Sequence, residues 1–294
     1  MTGEQSRPVG VVRLPGLLPY EAGLEWQRRL ARARIDGRLE TDLLLLLEHE
    51  AVLTLGRGAT ASASGMGGPA GSASPTRSEI PQYEIERGGD ITYHGPGQLV
   101  GYPILDLDGF RKDLHWYVRT LEEALILALA PLGVHGFRVG DHTGVWVGEG
   151  SDLDHLGRLK AASDEAEASV GSEGERVVRD RIAAGSLRKI ASIGVHVSRW
   201  VTWHGFALNV RETALGPFST IIPCGIPGVS MTSLESEGLA ACWEAVVTEV
   251  ESGFGRAFEA RMEEFGQGEL KRLGLALEPA GPDLQPEPVI PGHG

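Results

Sequence analysis

The chain of 294 residues predicts an α+β domain, a mixed β-sheet with packed helices, and three observations carry that expectation. Apolar runs of strand length recur, among them TDLLLLLEH at 41–49 and QLVGYPILDL at 98–107. Helical periodicity is confined to a few segments, the clearest being Leu114 to Leu132, where Trp116 is followed by Leu121, Leu125, Leu129 and Leu132, these leucines three or four residues apart. At 41% hydrophobic content the chain can bury a substantial core, and strands outnumbering helices point to one mixed sheet.

Taken in order, Leu14 to Leu39 reads as a helix, with Tyr20 and Glu21 opening a segment rich in Glu, Arg, Leu and Ala. TDLLLLLEH is a buried strand and AVLTLGR its continuation or exit. Residues 59–78 are mostly Gly, Ala and Ser with two prolines, and predict a flexible loop. YEIERGGD and QLVGYPILDL are strand-like and separated by the turn-forming HGPG; GVWVG is a short strand. Residues 149–186 are charged and rich in Gly and Ser, an insertion with a helical piece around Glu175 to Ala184. KIASIGVHVSRWVTWHGFALNV predicts a hairpin, since Ile193, Val195 and Val197 alternate, as do Phe206, Leu208 and Val210. Leu239 to Phe258 forms a second amphipathic helix. The expected catalytic domain is 1–258, and 259–294 is a C-terminal extension, Pro-rich and disordered at its end.

Composition excludes several classes. No stretch approaches the roughly 18–20 apolar residues of a membrane span and the first residues carry no signal-like run, so a soluble, cytoplasmic protein without a membrane partner is expected. A net charge of −13 argues against a nucleic-acid partner. Two cysteines support neither a disulfide framework nor a zinc site built from cysteine pairs, and the histidines lack metal-ligand spacing; no metal is expected.

The chemistry-bearing candidates are few. RGGDITYHGPGQLVGY, from Arg87 to Tyr102, sets Arg, Asp, Tyr, His and Gln among glycines that let backbone approach a ligand, although a tight turn between strands is an equal reading. It fits neither the phosphate-loop order nor the dinucleotide fingerprint, so no nucleotide is expected. Cys224, in IIPCGIPG, is either a turn cysteine or a nucleophile held by a rigid turn. Cys242, on a helical apolar pattern, reads as a small buried hydrophobe. A nucleophilic thiol, with a pKa near about 8.5, needs a cation beside it. Lys189 stands directly before an apolar strand pattern and is one candidate; neighbouring Arg188 is the other. His94 and His204 lie in turns from which a side chain can reach a cleft, while His196 alternates with Val195 and Val197.

RGGDITYHGPGQLVGYPILDL, GVWVG, KIASIGVHV, WHGFALNV and IIPCGIPGVSM, in this order, closely resemble the lipoyl(octanoyl) transferase family, and HEAVLTLGR resembles that family's early H-x-x-V-x-T-x-G segment. The resemblance runs from about Leu43 to Leu234. It implies a fold like the catalytic domain of biotin and lipoate protein ligases, no cofactor, and transfer of octanoyl from octanoyl-acyl-carrier protein to a lysine of lipoyl domains. The implied acceptors are the lipoyl domains of 2-oxoacid dehydrogenase complexes and the glycine cleavage H protein. By the same resemblance Cys224 is the acyl-thioester nucleophile and Lys189 the group that lowers its pKa. Substrate-binding positions carry over to Arg87, Gly88, Gly89, Asp90, Ile91, Thr92, Tyr93 and His94, to Ser192, Ile193 and Gly194, and to Gly205, Phe206 and Ala207. Two departures stand out: the loop at 59–78 and the insertion at 149–186, which separates GVWVG from Lys189, are longer than the family pattern. The insertion is expected to loop out and leave its flanking strands paired. Much of the negative charge is expected on the insertion and tail, with Arg87, Arg188 and Arg199 around the cleft. An ATP-dependent lipoate or biotin ligase, a non-catalytic carrier-binding protein and a Cys-His thioesterase are the alternatives.

Overall fold

A computed structural model of the protein describes residues 6–61, 80–140, 142–148, 172–221, 228–240 and 242–277. Strand β1 (Pro8–Leu18) is followed by helix α1 (Tyr20–Ile35) and strand β2 (Asp42–His49). β1 and β2 run parallel, so the chain must cross over between them, and α1 makes that crossover. The helix expected from Leu14 to Leu39 is therefore shorter at both ends. Val9 and Val11 face one core and Val12 and Leu14 the other, but Pro15 and Gly16 bend the strand where its register shifts, which hides the strand pattern. In β2, Leu44 and Leu46 enter one core while Leu43, Leu45 and Leu47 enter the opposite one. A strand covered on both faces needs no polar alternation, hence five consecutive leucines.

Next come β3 (Val52–Leu55), α2 (Arg57–Ala61), β4 (Gln82–Glu84) and β5 (Ile91–His94); β4, β3 and β5 form a small separate sheet. The first residues of the expected loop at 59–78 belong to α2, and 62–79 lie outside the described residues. The chain continues through β6 (Gln98–Ile104), α3 (Leu114–Leu129), β7 (Phe137–Val139), β8 (His142–Val147), α4 (Ser172–Ala183), β9 (Arg188–Ser198) and β10 (Val201–Asn209). It ends with β11 (Ser230–Met231), α5 (Trp243–Ala257), β12 (Arg261–Glu264) and α6 (Gln267–Arg272). The main sheet has the order β12-β1-β2-β6-β10-β9-β8-β7, with β11 added beside β9. Leu121 and Leu125 of α3 and Val246, Val250 and Phe254 of α5 cover one face; Trp26 and Leu30 of α1 and Leu270 of α6 cover the other. Asp113 starts α3 by accepting the Trp116 N–H at 3.0 Å.

The expected hairpin is present as β9 and β10, turned by Arg199 and Trp200, whose φ values of 49° and 63° suit a two-residue hairpin turn. Three expectations need correction. The insertion's far end does not loop out: residues 149–171 lie outside the described residues, but Val178 and Ile182 of α4 pack on Val139, Trp146 and Leu187, while β8 and β9 remain paired. The packed unit does not end at 258, because β12 pairs with β1 and Leu270, Leu275 and Leu277 enter the core; only 278–294 of the extension is outside the described residues. Cys242 is not buried. It is exposed at the start of α5, its Sγ 2.7 Å from Glu244 Oε2, because the helix begins at Trp243 rather than near Leu239.

Candidate functional site

A cavity of about 400 Å³ opens between the small sheet and the main one. Its wall is built from the segment before β5 and β5 itself, from the middle of β9 and β10, and from His142 and Thr143 of β8, with Tyr20, Tyr102, Leu114 and Val118 completing it. The sequence candidates Arg87, Gly88, Gly89, Asp90, Ile91, Thr92 and His94 line it, as do Ser192, Ile193, Gly194, Gly205, Phe206, Ala207 and Lys189. Tyr93 does not. On an extended strand alternate residues face opposite ways, and Tyr93 packs edge-on against Phe218 at 5.7 Å, away from the cavity.

The Arg87–Asp90 segment is held by backbone contacts that need close approach. Gly56 N–H donates to Asp90 O, Arg57 N–H to Arg87 O and Gly58 N–H to Gly89 O, all at 3.0–3.1 Å. A Cβ on Gly56 would stand 2.2 Å from Gly89 O, so only glycine fits. Arg87 donates to Thr54 O at 2.8 Å and Thr54 Oγ1 at 2.9 Å, and Gly88 N–H donates to Val195 O, tying the segment to β3 and β9. Two hydroxyls in the wall, Thr92 Oγ1 and Ser192 Oγ, are buried without a hydrogen-bond partner among the described residues. Buried polar atoms ordinarily have partners, so this is where a polar part of a ligand can bind.

Lys189 is 1% exposed, donates from Nζ to Thr143 O at 2.7 Å and lies 5.4 Å from the centre of the Trp146 ring. Its approach depends on Gly144, which has φ +125° and where a Cβ would stand 2.5 Å from both Lys189 Cε and Ala191 O. The position of Gly144 is in turn set by Glu122 of α3, fully buried, which accepts the Gly144 N–H at 2.9 Å and is paired with Arg119 at 2.8 Å and Arg138 at 3.2 Å. Arg188 is the cation that does not enter: it pairs with Glu237 at 2.9 Å, outside the cavity wall. Arg199 likewise sits in the β9–β10 turn, so of the three arginines expected around the cleft Arg87 alone lines it. The segments 149–186 and 259–294 each carry a net charge of −4.

A histidine cluster, of which His94 and His204 line the cavity, forms another part of the wall and the layer behind it. His94 ring nitrogen Nδ1 is 2.8 Å from Gln98 Oε1, and its ring stacks near Tyr20 and lies 6.1 Å from that of His49. His49 bonds Leu18 O through Nδ1 and Tyr102 Oη through Nε2, at 3.0 and 2.7 Å. Burial pushes His49 down to about 4; burial and the neighbouring His49 push His94 down to about 3, so both are neutral at pH 7. His204 occupies the left-handed region at φ 56°, with Gln27 accepting its backbone N–H, and burial lowers its pKa too. Burial alone would push the Glu86 carboxyl up, but His204 and the two-pronged Arg28 hold it well below the usual carboxylate range. His196 faces inward, its Nδ1 3.1 Å from Glu86 O. Tyr20, Tyr102, Leu114, Val118 and Thr143 were not singled out in the sequence, since each reads as an ordinary member of a helix or strand pattern.

Cys224 lies outside the described residues, but both flanks of its segment are placed. Upstream, Phe218 packs on Tyr93 of β5; downstream, Ser230 and Met231 pair with Arg188 and Lys189, and Thr232 N–H donates to Lys189 O at 3.0 Å.

The family model described as lipoyl protein ligase A/B catalytic domain matches residues 19–255. The octanoyltransferase of Gloeobacter violaceus is 44% identical over 232 residues, which cover 75% of this chain and 83% of that relative. The octanoyltransferase of Solibacter usitatus is 40% identical over 251 residues, covering 85% and 94%. Among solved structures, lipoate-protein ligase A bound with ATP has a TM-score of 0.58 at 15% identity, covering 92% of each chain. A bi-partite lipoate protein ligase of Thermoplasma acidophilum has a TM-score of 0.59 at 15% identity, covering 91% of this chain and 89% of the other. At such identities the likeness to the solved structures speaks for the fold, and the expected kinship with lipoate ligase architecture is met.

Proposed function

As this chain belongs to the lipoyl protein ligase A/B catalytic domain family, we propose that it is an octanoyltransferase, moving octanoyl from octanoyl-acyl-carrier protein to a specific lysine of a lipoyl domain. The acceptors in this reading are the lipoyl domains of 2-oxoacid dehydrogenase complexes and the glycine cleavage H protein. The observation that carries the mechanism is Lys189, buried in a largely apolar cavity wall with the downstream flank of the Cys224 segment paired beside it.

In this reading the Cys224 thiolate attacks the carrier thioester, and the Lys189 ammonium stabilises that thiolate. A thiol depressed by about 1.5 pH units needs roughly 2 kcal/mol of differential stabilisation, within reach of one buried ammonium. The lysine amine of the lipoyl domain then attacks the enzyme thioester, so two easier steps replace one. Thioester exchange is nearly even in energy and calls for no ATP, which accords with a Gly-rich segment that lacks the phosphate-loop order. Burying seven methylene and methyl groups at about 0.8 kcal/mol each contributes roughly 5–6 kcal/mol, and Phe206, Ile193, Ile91 and Val118 supply apolar wall for it.

The test is intact-mass spectrometry after incubation with octanoyl-carrier protein, beside Cys224→Ser, followed by an apo lipoyl domain without ATP. An octanoyl adduct on the wild type that hydroxylamine removes and the lipoyl domain accepts is the expected result. No adduct, with Cys224→Ser transferring equally well, would leave Cys224 structural and sink the mechanism; a requirement for ATP would favour a ligase.

A further inference from the structure

Behind His94 runs a chain of buried amides whose polarity is set at its far end. Asn209 Nδ2 lies 2.9 Å from Thr232 O, a backbone carbonyl that can only accept. Asn209 must therefore turn Oδ1 the other way, where Gln98 Nε2 donates to it at 2.9 Å. Gln98 is then left with Oε1 facing His94 Nδ1 at 2.8 Å, and that nitrogen must carry a proton. Gln98 and Asn209 are each 1% exposed and Thr232 is 2% exposed, so water does not offer alternative partners. Usually the orientation of an amide or a histidine tautomer is a matter of assignment. Here each link follows from the one before it, beginning at a main-chain oxygen.

With Nδ1 committed to Gln98, Nε2 is the ring nitrogen left to the cavity that His94 lines, and in the neutral ring it is a bare lone pair. We propose that Gln98 and Asn209 are positioning residues which hold His94 as the Nδ1–H tautomer, so that Nε2 accepts an N–H of the incoming primary amine and orients it for attack. This rests on the octanoyl-transfer reading above. The amine nitrogen forms its bond to the acyl carbon, the carbon–sulfur bond breaks, and the amine proton leaves with the released Cys224 sulfur as thiol. His94 gains no lasting proton: burial, His49, Arg87 and His204 all disfavour its charged form, which suits a hydrogen-bond acceptor rather than a proton store. The same relay ends on Thr232, whose N–H donates to Lys189 O, so the histidine and the lysine are linked through one backbone residue.

The first measurement is made on the wild-type protein, with one variant used for assignment. A two-bond proton–nitrogen correlation spectrum of the imidazoles, with the His94 signals identified by their loss in His94→Asn, is expected to show Nδ1 protonated and Nε2 bare. His94→Asn itself keeps an N–H donor toward Gln98 while deleting Nε2; it is expected to slow passage of octanoyl to the lipoyl domain by about tenfold or more, and to slow enzyme acylation less. His94→Gln, which can return an acceptor oxygen near the Nε2 position, is expected to recover part of that loss. In Gln98→Leu the histidine is free to take up the other tautomer, visible in the spectrum. A wild-type protein that transfers octanoyl but has His94 protonated at Nε2, or a His94→Asn protein as fast as wild type, would overturn the proposal. A wild-type protein that transfers nothing strikes instead at the function proposed above.

Discussion

At two places in and behind the cavity wall, bases are buried beside different partners. Where β8 meets β9, the Lys189 Nζ donates to the Thr143 carbonyl oxygen and lies over the Trp146 ring. Where α1, β5 and β6 meet, His49 and His94 are packed among tyrosine rings and near one another, and burial holds both below the ordinary histidine value, the neighbouring His49 adding to the effect on His94. Both residue types are bases and all three side chains are buried. The difference teaches that burial by itself drives a histidine to its neutral form even where a hydrogen-bond partner pulls the other way, as Leu18 O does at His49, whereas the buried lysine is given a main-chain oxygen to donate to.

The largest effect is expected from removing the cation. Lys189→Met should lower octanoyl transfer on the order of 10³-fold, measured as single-turnover acylation, while the protein remains folded by circular dichroism. Equal rates would show that this part of the wall is structural. Next is Gly144→Ala, which forces a Cβ to within 2.5 Å of Ala191 O at a backbone angle that suits glycine. It should cost roughly 3 kcal/mol in urea unfolding and move Lys189 as well. A variant as stable as wild type would mean β8 shifts freely, contrary to its hold by Glu122.

The histidine side is sharpened by pH. Both folded-state values, about 4 for His49 and about 3 for His94, lie below the ordinary 6.5, so the unfolded chain binds protons that the folded one does not. Their stabilisation is complete above about pH 6.5 and falls as pH drops toward those lower values, by about 1.4 kcal/mol per unit for each histidine. Unfolding free energies at pH 7 and pH 5 should therefore differ less in His49→Gln than in the wild type by on the order of 2 kcal/mol. An unchanged difference would mean that His49 is charged in the fold. The smallest effect belongs to a contact outside the cavity: Arg13, whose side chain is 58% exposed, pairs with Glu251 at 2.5 Å, and Arg13→Ala should cost at most about 0.5 kcal/mol. A loss of 2 kcal/mol there would undo the contrast between buried and solvated partners.

How much could be read in advance differs by element. The leucine run of β2 and the alternation of β9 and β10 were legible, because burial on one face or two leaves a direct imprint on the residues. β12 was not: RMEE has no apolar alternation, its side chains are mostly exposed, and its place on the sheet edge comes from main-chain pairing with β1. The candidate residues from Arg87 to His94 and in β9 and β10 were legible through family motifs, and periodicity then explains why Tyr93 alone among them turns away. Gln98 and Asn209 were invisible as a pair, since 111 residues separate them and neither belongs to a local pattern.

Fold class, the strand and helix types of the long periodic segments and family membership were thus already contained in the order of residues. They depend on local spacing and on side-chain chemistry, both of which are properties of the chain. Which cation enters the cavity, Lys189 rather than its neighbour Arg188, depended on tertiary packing, because Glu237 takes the arginine and Thr143 the lysine. So did the tautomer of His94 and the neutrality of both buried histidines, for hydrogen-bond direction and desolvation exist only once distant strands have come together.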